Sequence, residues 1–312
     1  MLSVVWIVFG FIILYLILCF SLFLLAFHRF PPKHDPLRNL NQGAEKSLVD
    51  YPELVNAGHK WLAAAQPEDV ELLSHDGLRL HGTLYRTPEA KAVLVACHGY
   101  RSTGRHDFNS ALPFYSELGF HILLIDQRSC GLSEGKYTAM GILERFDICD
   151  WCAFAGRLFP HLPVVAAGIS MGASSVLMAA DTLPDCVKAI IADCPYISAW
   201  DELTYVVHHF VHIPAAPILF GIDLWCRLLA GFSLRQFTVL DALKANRHPI
   251  FLVHGAADQL VPYANSRKIH EFCNNSIVLL SSPHAGHGMS FLVSNQAYRE
   301  ALETFITPII YR

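Results

Sequence analysis

The stretch Val164-Val165-Ala166-Ala167-Gly168-Ile169-Ser170-Met171-Gly172-Ala173-Ser174-Ser175-Val176-Leu177-Met178-Ala179-Ala180 decides how the whole chain is read. Its first half is a short, continuous apolar run, the pattern of a strand buried on both faces. Its second half consists of small and helix-favouring residues and predicts a helix over 171–181. Between them, Gly168-x-Ser170-x-Gly172 puts a serine on a tight strand-to-helix turn, where small neighbours let a strained backbone fit.

Outward from this unit the same alternation repeats. AVLVACHG (92–99) and HILLIDQ (121–127) precede it; AIIADCP (189–195), IFLVHG (250–255) and SIVLLSS (276–282) follow. Each is a buried-strand run bounded by turn residues, and helical patterns near 109–118, 142–158, 263–273 and 291–306 lie between them. Continuous apolar strands alternating with helices predict an α/β fold: a mostly parallel sheet covered on both faces. ELLSHDGLRLHGTLY (71–85) reads as a hairpin turning at Asp76-Gly77 and adds an antiparallel edge. The interval from 196 to about 245 interrupts the alternation and is read as an insertion.

The 312 residues are 53% hydrophobic and only 16% charged, against about 25% charge in ordinary soluble domains. Disorder is thereby excluded, and a net charge of −4 offers no basic footprint for nucleic acid. Much of the excess apolarity lies in Val4 to Phe27, 24 residues without a charge. As a helix this run is about 36 Å long, enough for a hydrocarbon core of roughly 30 Å. No basic residue precedes it and no small-x-small cleavage pattern follows, so residues 1–30 are read as a retained single-pass anchor rather than a cleaved leader. Arg29, Lys33 and Arg38 follow it, which by the positive-inside rule puts the large C-terminal part in the cytoplasm. Residues 31–69 read as a linker with a short helix around 51–65. Residues 70–312 read as the main domain. Nine cysteines without regular spacing do not make a disulfide framework.

A serine hydroxyl needs a base to remove its proton and an acid to orient that base. Asp258, just past IFLVHG in HGAADQLVP, and His287 in PHAGHGMS both fall in loops at the carboxyl ends of strands, where an open α/β sheet keeps its sites. Their order, Ser170 then Asp258 then His287, is the order that a serine on such a turn requires. Asp193 is the alternative acid and His284 the alternative base. A second match, Gly131-Leu132-Ser133-Glu134-Gly135, lies four residues beyond its strand and precedes a poor helix start, so Ser133 is read as a loop residue. The backbone N–H groups of Met171 and Tyr100 are the expected oxyanion donors, with the His98 side chain organising the loop. Arg101, Arg105 and His106 make that loop basic. Cys149-x-x-Cys152 has metal or redox spacing but no second pair, so no metal is expected. No Gly-rich phosphate loop follows a strand, so neither nucleotide nor other cofactor is expected.

Taken jointly, HGY, DQRSCGLSEG, GISMG, HGAAD and AGHG resemble the α/β-hydrolase superfamily over roughly residues 70–310. Within it the sequence is similar to membrane-anchored bacterial hydrolases of the serine aminopeptidase-like and esterase branches. DQRSCGLSEG departs from that family's D-x-R-G-x-G-x-S-x-G loop at Ser129, where a glycine is usual. The resemblance implies an α/β-hydrolase fold with a helical cap at about 196–245. It also implies cofactor-free hydrolysis of an ester, thioester or amide. The cap's middle carries only Asp223 and Arg227 as charges, and reads either as an apolar lid shaping an acyl pocket near the bilayer or as plain cap packing. The resulting expectation is a carboxylesterase- or lipase-like serine hydrolase acting on a small acyl ester with an apolar acyl group. A peptidase and a catalytically silent ligand-binding fold are the alternatives.

Overall fold

The computed structural model describes residues 2–29, 50–273 and 277–311. Lys33, Arg38 and residues 31–49 of the expected linker lie outside these residues. The chain opens with α1 (Leu2–Phe27) and, after the undescribed stretch, α2 (Pro52–Ala64). Eight strands follow: β1 (Pro67–Leu73), β2 (Arg79–Tyr85), β3 (Ala92–Cys97), β4 (Phe120–Ile125), β5 (Val164–Ile169), β6 (Val187–Asp193), β7 (Ile250–Gly255) and β8 (Ile277–Ser282). They form one sheet in the order β1-β2-β4-β3-β5-β6-β7-β8. β2 pairs antiparallel with β1 and with β4, and every other pairing is parallel. The hairpin turns at Gly77, whose φ of +87° is a conformation open to glycine.

The helices are α3 (Leu112–Glu117), α4 (Glu144–Leu158), α5 (Met171–Met178), α6 (Ala199–Val206), α7 (Ala215–Trp225), α8 (Val239–Leu243), α9 (Ala264–Phe272) and α10 (Asn295–Ile310). The sheet's central strands are buried on both faces, as their uninterrupted apolar runs require: all six residues of β3 and of β7 are buried. One face packs on α4, α5 and the cap through Trp151, Leu177, Leu219 and Phe232. The other packs on α2, α3 and α10 through Phe114, Tyr115, Phe251 and Leu302.

Between β6 and β7 the chain leaves the sheet for α6, α7 and α8, with a π-helical turn after each of the first two, Val207–Val211 and Cys226–Ala230. That π turn ends the first cap helix at His212, in the left-handed region at φ 62°. One strong tertiary feature was not expected from the sequence. The C-terminal half of α1 is part of the domain: Cys19 is fully buried, and Phe23 and Phe27 lie in the same core as the cap. Just beyond the helix, the Arg29 guanidinium donates to the carbonyls of Gly131 and Ser133, both at 2.6 Å.

Candidate active site

The nucleophile candidate sits where β5 becomes α5. Ser170 has φ 56° and ψ −119°, a strained turn conformation that lifts its side chain off the end of the strand. Two glycines make this turn fit. A Cβ on Gly172 would lie 2.1 Å from the carbonyl oxygen of Cys97, and one on Gly168 would lie 2.3 Å from the backbone of Gly172. β3, β5 and the first turn of α5 are therefore pressed together, and the Ser170 N–H donates to the Asp193 carbonyl of β6 at 2.8 Å.

Asp258 and His287 arrive from loops after β7 and β8. The His287 Nδ1 is 2.7 Å from Asp258 Oδ2, and its Nε2 is 2.8 Å from Ser170 Oγ. The other carboxylate oxygen of Asp258 accepts the N–H groups of Leu260 and Val261, both at 2.9 Å. Burial would push this carboxyl's pKa up, but hydrogen bonds from His254 and His287 and from the Val261 N–H hold it well below the usual range. His254, on β7, is fully buried, with Nε2 3.3 Å from Asp258 Oδ2 and Nδ1 2.7 Å from Ser266 Oγ. Sequence reasoning passed over His254; its place within HGAAD, four residues before the acid, is the only signal that could have flagged it.

The alternatives separate clearly. His284 is exposed. Asp193 is buried beneath the Ser170 turn, where its Oδ1 accepts from Ser290 Oγ at 3.5 Å, and burial pushes its pKa up to about 7. Ser133 is fully buried and faces away from the site, donating to the Asp126 carbonyl at 2.6 Å and accepting the His81 N–H at 2.8 Å. Ser129 takes the left-handed conformation, φ 61°, that the family's glycine adopts freely. The neighbouring Arg128 is locked into the domain by a bidentate pair with Asp147, at 2.7 and 2.6 Å.

Met171 opens α5, so its N–H has no intrahelical carbonyl to meet. Tyr100 follows β3 and lines the same cavity as Gly99, Ser170 and His287. Its loop is held by His98, whose Nδ1 lies 2.7 Å from the Gly99 carbonyl and whose Nε2 accepts the Gln127 N–H at 3.2 Å. Asp107, which the sequence reading did not single out, accepts the Gly99 N–H at 2.6 Å. The loop's basic residues are engaged elsewhere or beside the cavity: the Arg101 guanidinium donates to the Leu25 carbonyl of α1, and His106, which lines the cavity, pairs with Asp107. Cys149 and Cys152 are thiols whose pKa burial raises.

The cavity beside Ser170 measures about 160 Å³ and runs under the Tyr100 loop to Phe108, Tyr115, Ile191, Phe291 and Tyr298. No residue of 196–245 lines it. Of the two readings of the cap's middle, the apolar lid contributes nothing to the wall of this cavity, which is lined instead by strand ends, their loops, α3 and α10.

Strand order, the turn after β5 and the cap after β6 define the class: the chain has the α/β-hydrolase fold. Residues 88–220 match the family model of serine aminopeptidases, S33, and residues 232–308 that of TAP-like proteins. Among curated proteins it is 24% identical to YqkD of Bacillus subtilis, over 69% of this chain and 70% of that one. It is also 24% identical to YfhR of Salmonella typhimurium, over 78% and 82%. Among solved structures it resembles the Pyrococcus furiosus esterase Pf2001, with a TM-score of 0.63 and 22% identity over 78% of this chain and 93% of that one. Est1E from Butyrivibrio proteoclasticus, solved with ferulic acid, gives 0.62 and 20% over 78% and 100%.

Proposed function

We propose that the chain is a serine hydrolase, anchored in a membrane by α1 with its catalytic domain on the cytoplasmic side, that cleaves carboxylic esters with a short to medium, mainly apolar acyl group. The observation that carries this reading is the unbroken series Asp258–His287–Ser170, at 2.7 and 2.8 Å. In this reading Ser170 Oγ attacks the ester carbonyl as its proton passes to His287 Nε2. Asp258, ionised throughout, holds the ring and stabilises the imidazolium. The Met171 and Tyr100 amides receive the oxyanion. On collapse the alkoxide takes the proton from His287 and leaves. Water, deprotonated by the same ring, then attacks the acyl-Ser170 ester and releases the acid. The apolar wall of Phe108, Ala111, Phe291 and Leu292 favours a hydrocarbon acyl group, and the cavity's size favours the shorter ones.

A peptidase is the second reading, supported by the match to the serine aminopeptidase model. Two measurements test both. A fluorophosphonate probe should label the detergent-extracted wild type and Ser133→Ala but not Ser170→Ala; no labelling of the folded wild type would leave a silent binding protein as the better reading. Turnover of p-nitrophenyl butyrate and octanoate should exceed that of aminoacyl-arylamides, and the reverse preference would replace the esterase with the peptidase.

A further inference from the structure

Apart from the buried, ion-paired Asp223, α7 is apolar on every side. Leu219, Ile222 and Cys226 turn into the core and are at most 6% exposed. Pro217, Ile218, Gly221 and Trp225 meet α1: Tyr15 Oη donates to the Pro217 carbonyl at 2.6 Å, Trp225 Nε1 to the Leu16 carbonyl at 3.2 Å, and the Phe20 and Trp225 rings lie 4.9 Å apart. A Cβ on Gly221 would fall 2.3 Å from Cys19 Sγ, so the two helices are in close contact. The third stripe, Phe220, Leu224 and Leu228, is 53%, 42% and 63% exposed. A helix apolar all round belongs in a core or in lipid. The cavity beside Ser170 does not use this face, since none of its lining residues comes from the cap.

The length of α1 says where the face lies. Val4–Leu14, the part of the apolar run ahead of the first docked residue, covers about 17 Å at 1.5 Å per residue, and all of it is exposed. A hydrocarbon core of about 30 Å placed on this run therefore extends past Tyr15 by about 13 Å, into the stretch against which α7 packs. α7 enters the same layer. Phe210 and Val211 of the first π turn and Leu229 of the second are exposed as well. The charged residues of α7 and the turn after it neutralise one another: the Arg227 guanidinium donates to the buried Asp223 at 2.6 Å and to Ser233 Oγ at 3.2 Å.

We infer that α7 and its flanking π turns are immersed in the leaflet that α1 crosses, with lipid acyl chains covering the Phe220–Leu224–Leu228 face, so that the site takes esters dissolved in that leaflet. This rests on reading α1 as a membrane span. The route is short: Tyr100, which lines the Ser170 cavity, donates its hydroxyl to the Ala26 carbonyl at the foot of α1.

The test uses the full chain in phosphatidylcholine vesicles whose acyl chains carry bromine, a contact quencher of tryptophan. The difference between wild type and Trp6→Phe reports α1, and that between Trp6→Phe/Leu228→Trp and Trp6→Phe reports the cap. Both signals should be quenched. Quenching of Trp6 without quenching at 228 would overturn the immersed cap while leaving the anchor standing, and would assign the face to another occupant such as a second copy of the chain. No quenching of Trp6 would remove the anchor and the inference with it. Independently, Leu224→Glu/Leu228→Glu should keep its turnover of a water-soluble short ester in detergent. It should lose at least about tenfold on an octanoate ester of a long-chain alcohol dissolved in the vesicles, since each charge is costly in hydrocarbon. Unchanged turnover of the vesicle-borne ester would contradict the inference.

Discussion

The turn after β4 and the turn after β5 share the letters Gly-x-Ser-x-Gly, and the fold treats their serines in opposite ways. In the first, Ser133 is fully buried and spends both hydrogen-bonding roles on backbone, stitching Asp126 of β4's exit to His81 of β2. In the second, Ser170 stands at φ 56° with its hydroxyl 2.8 Å from His287. The glycines differ too. Gly131 and Gly135 take positive φ in a loop that folds back on itself, whereas Gly168 and Gly172 keep ordinary backbone angles and are required only by the close approach of neighbouring backbone. Five letters thus encode compactness, and the strand before them with the helix after them determines whether the serine is presented or buried.

The comparison breaks most visibly at the serines themselves. Ser170→Ala should lower kcat on a p-nitrophenyl ester by about 10⁴- to 10⁶-fold with its thermal transition intact. Ser133→Ala should keep its kcat but lose about 1–3 kcal/mol of stability, because the buried His81 N–H is left without its acceptor. A folded Ser133→Ala that had lost its activity would exchange the two roles. Asp258→Asn comes next, with an expected loss of about 10⁴-fold in kcat, because the amide can no longer hold the His287 tautomer. A loss of under tenfold would return Asp193 to consideration as the acid.

How much of this could be read in advance follows the range of the interactions. Buried strands are legible because burial on both faces demands a continuous apolar run, and the runs at 92–99, 121–127 and 164–170 overlap β3, β4 and β5 closely. Ser170, Asp258 and His287 are legible as a set because each falls at the carboxyl end of a strand. His254 is not, because a histidine inside a strand looks like any core residue until its neighbour across the turn is known. The same holds for Asp107, whose carboxylate fixes Gly99 from eight residues away. The docking of α1 is the largest omission: a run uniformly apolar along its length carries no mark of which half packs on the domain. Its partners, Tyr100, Gly221 and Trp225, lie 74 or more residues away in the chain.

The two turns also differ in what lies under each serine. Asp193, whose carbonyl receives the Ser170 N–H, carries a carboxyl that burial raises from 3.8 to about 7, with the nearby His254 opposing the rise. Between those values the folded chain keeps a proton that the unfolded chain releases, so this group's contribution to stability falls as pH rises from about 4 to 7 and is level above. Asp258 works in the opposite direction, but its folded value lies so low that its contribution is fully present above about pH 4 and is lost only in stronger acid. The advantage of Asp193→Asn over wild type should therefore grow by about 1 kcal/mol per pH unit between pH 4 and 7 and stay constant beyond, read from denaturant midpoints at each pH. Ser133→Ala should show the same deficit across that range, since its turn loses a neutral hydrogen bond. An Asp193→Asn advantage that did not change with pH would mean that the carboxyl beneath the Ser170 turn is already ionised at pH 4, and that the two turns do not differ in this respect.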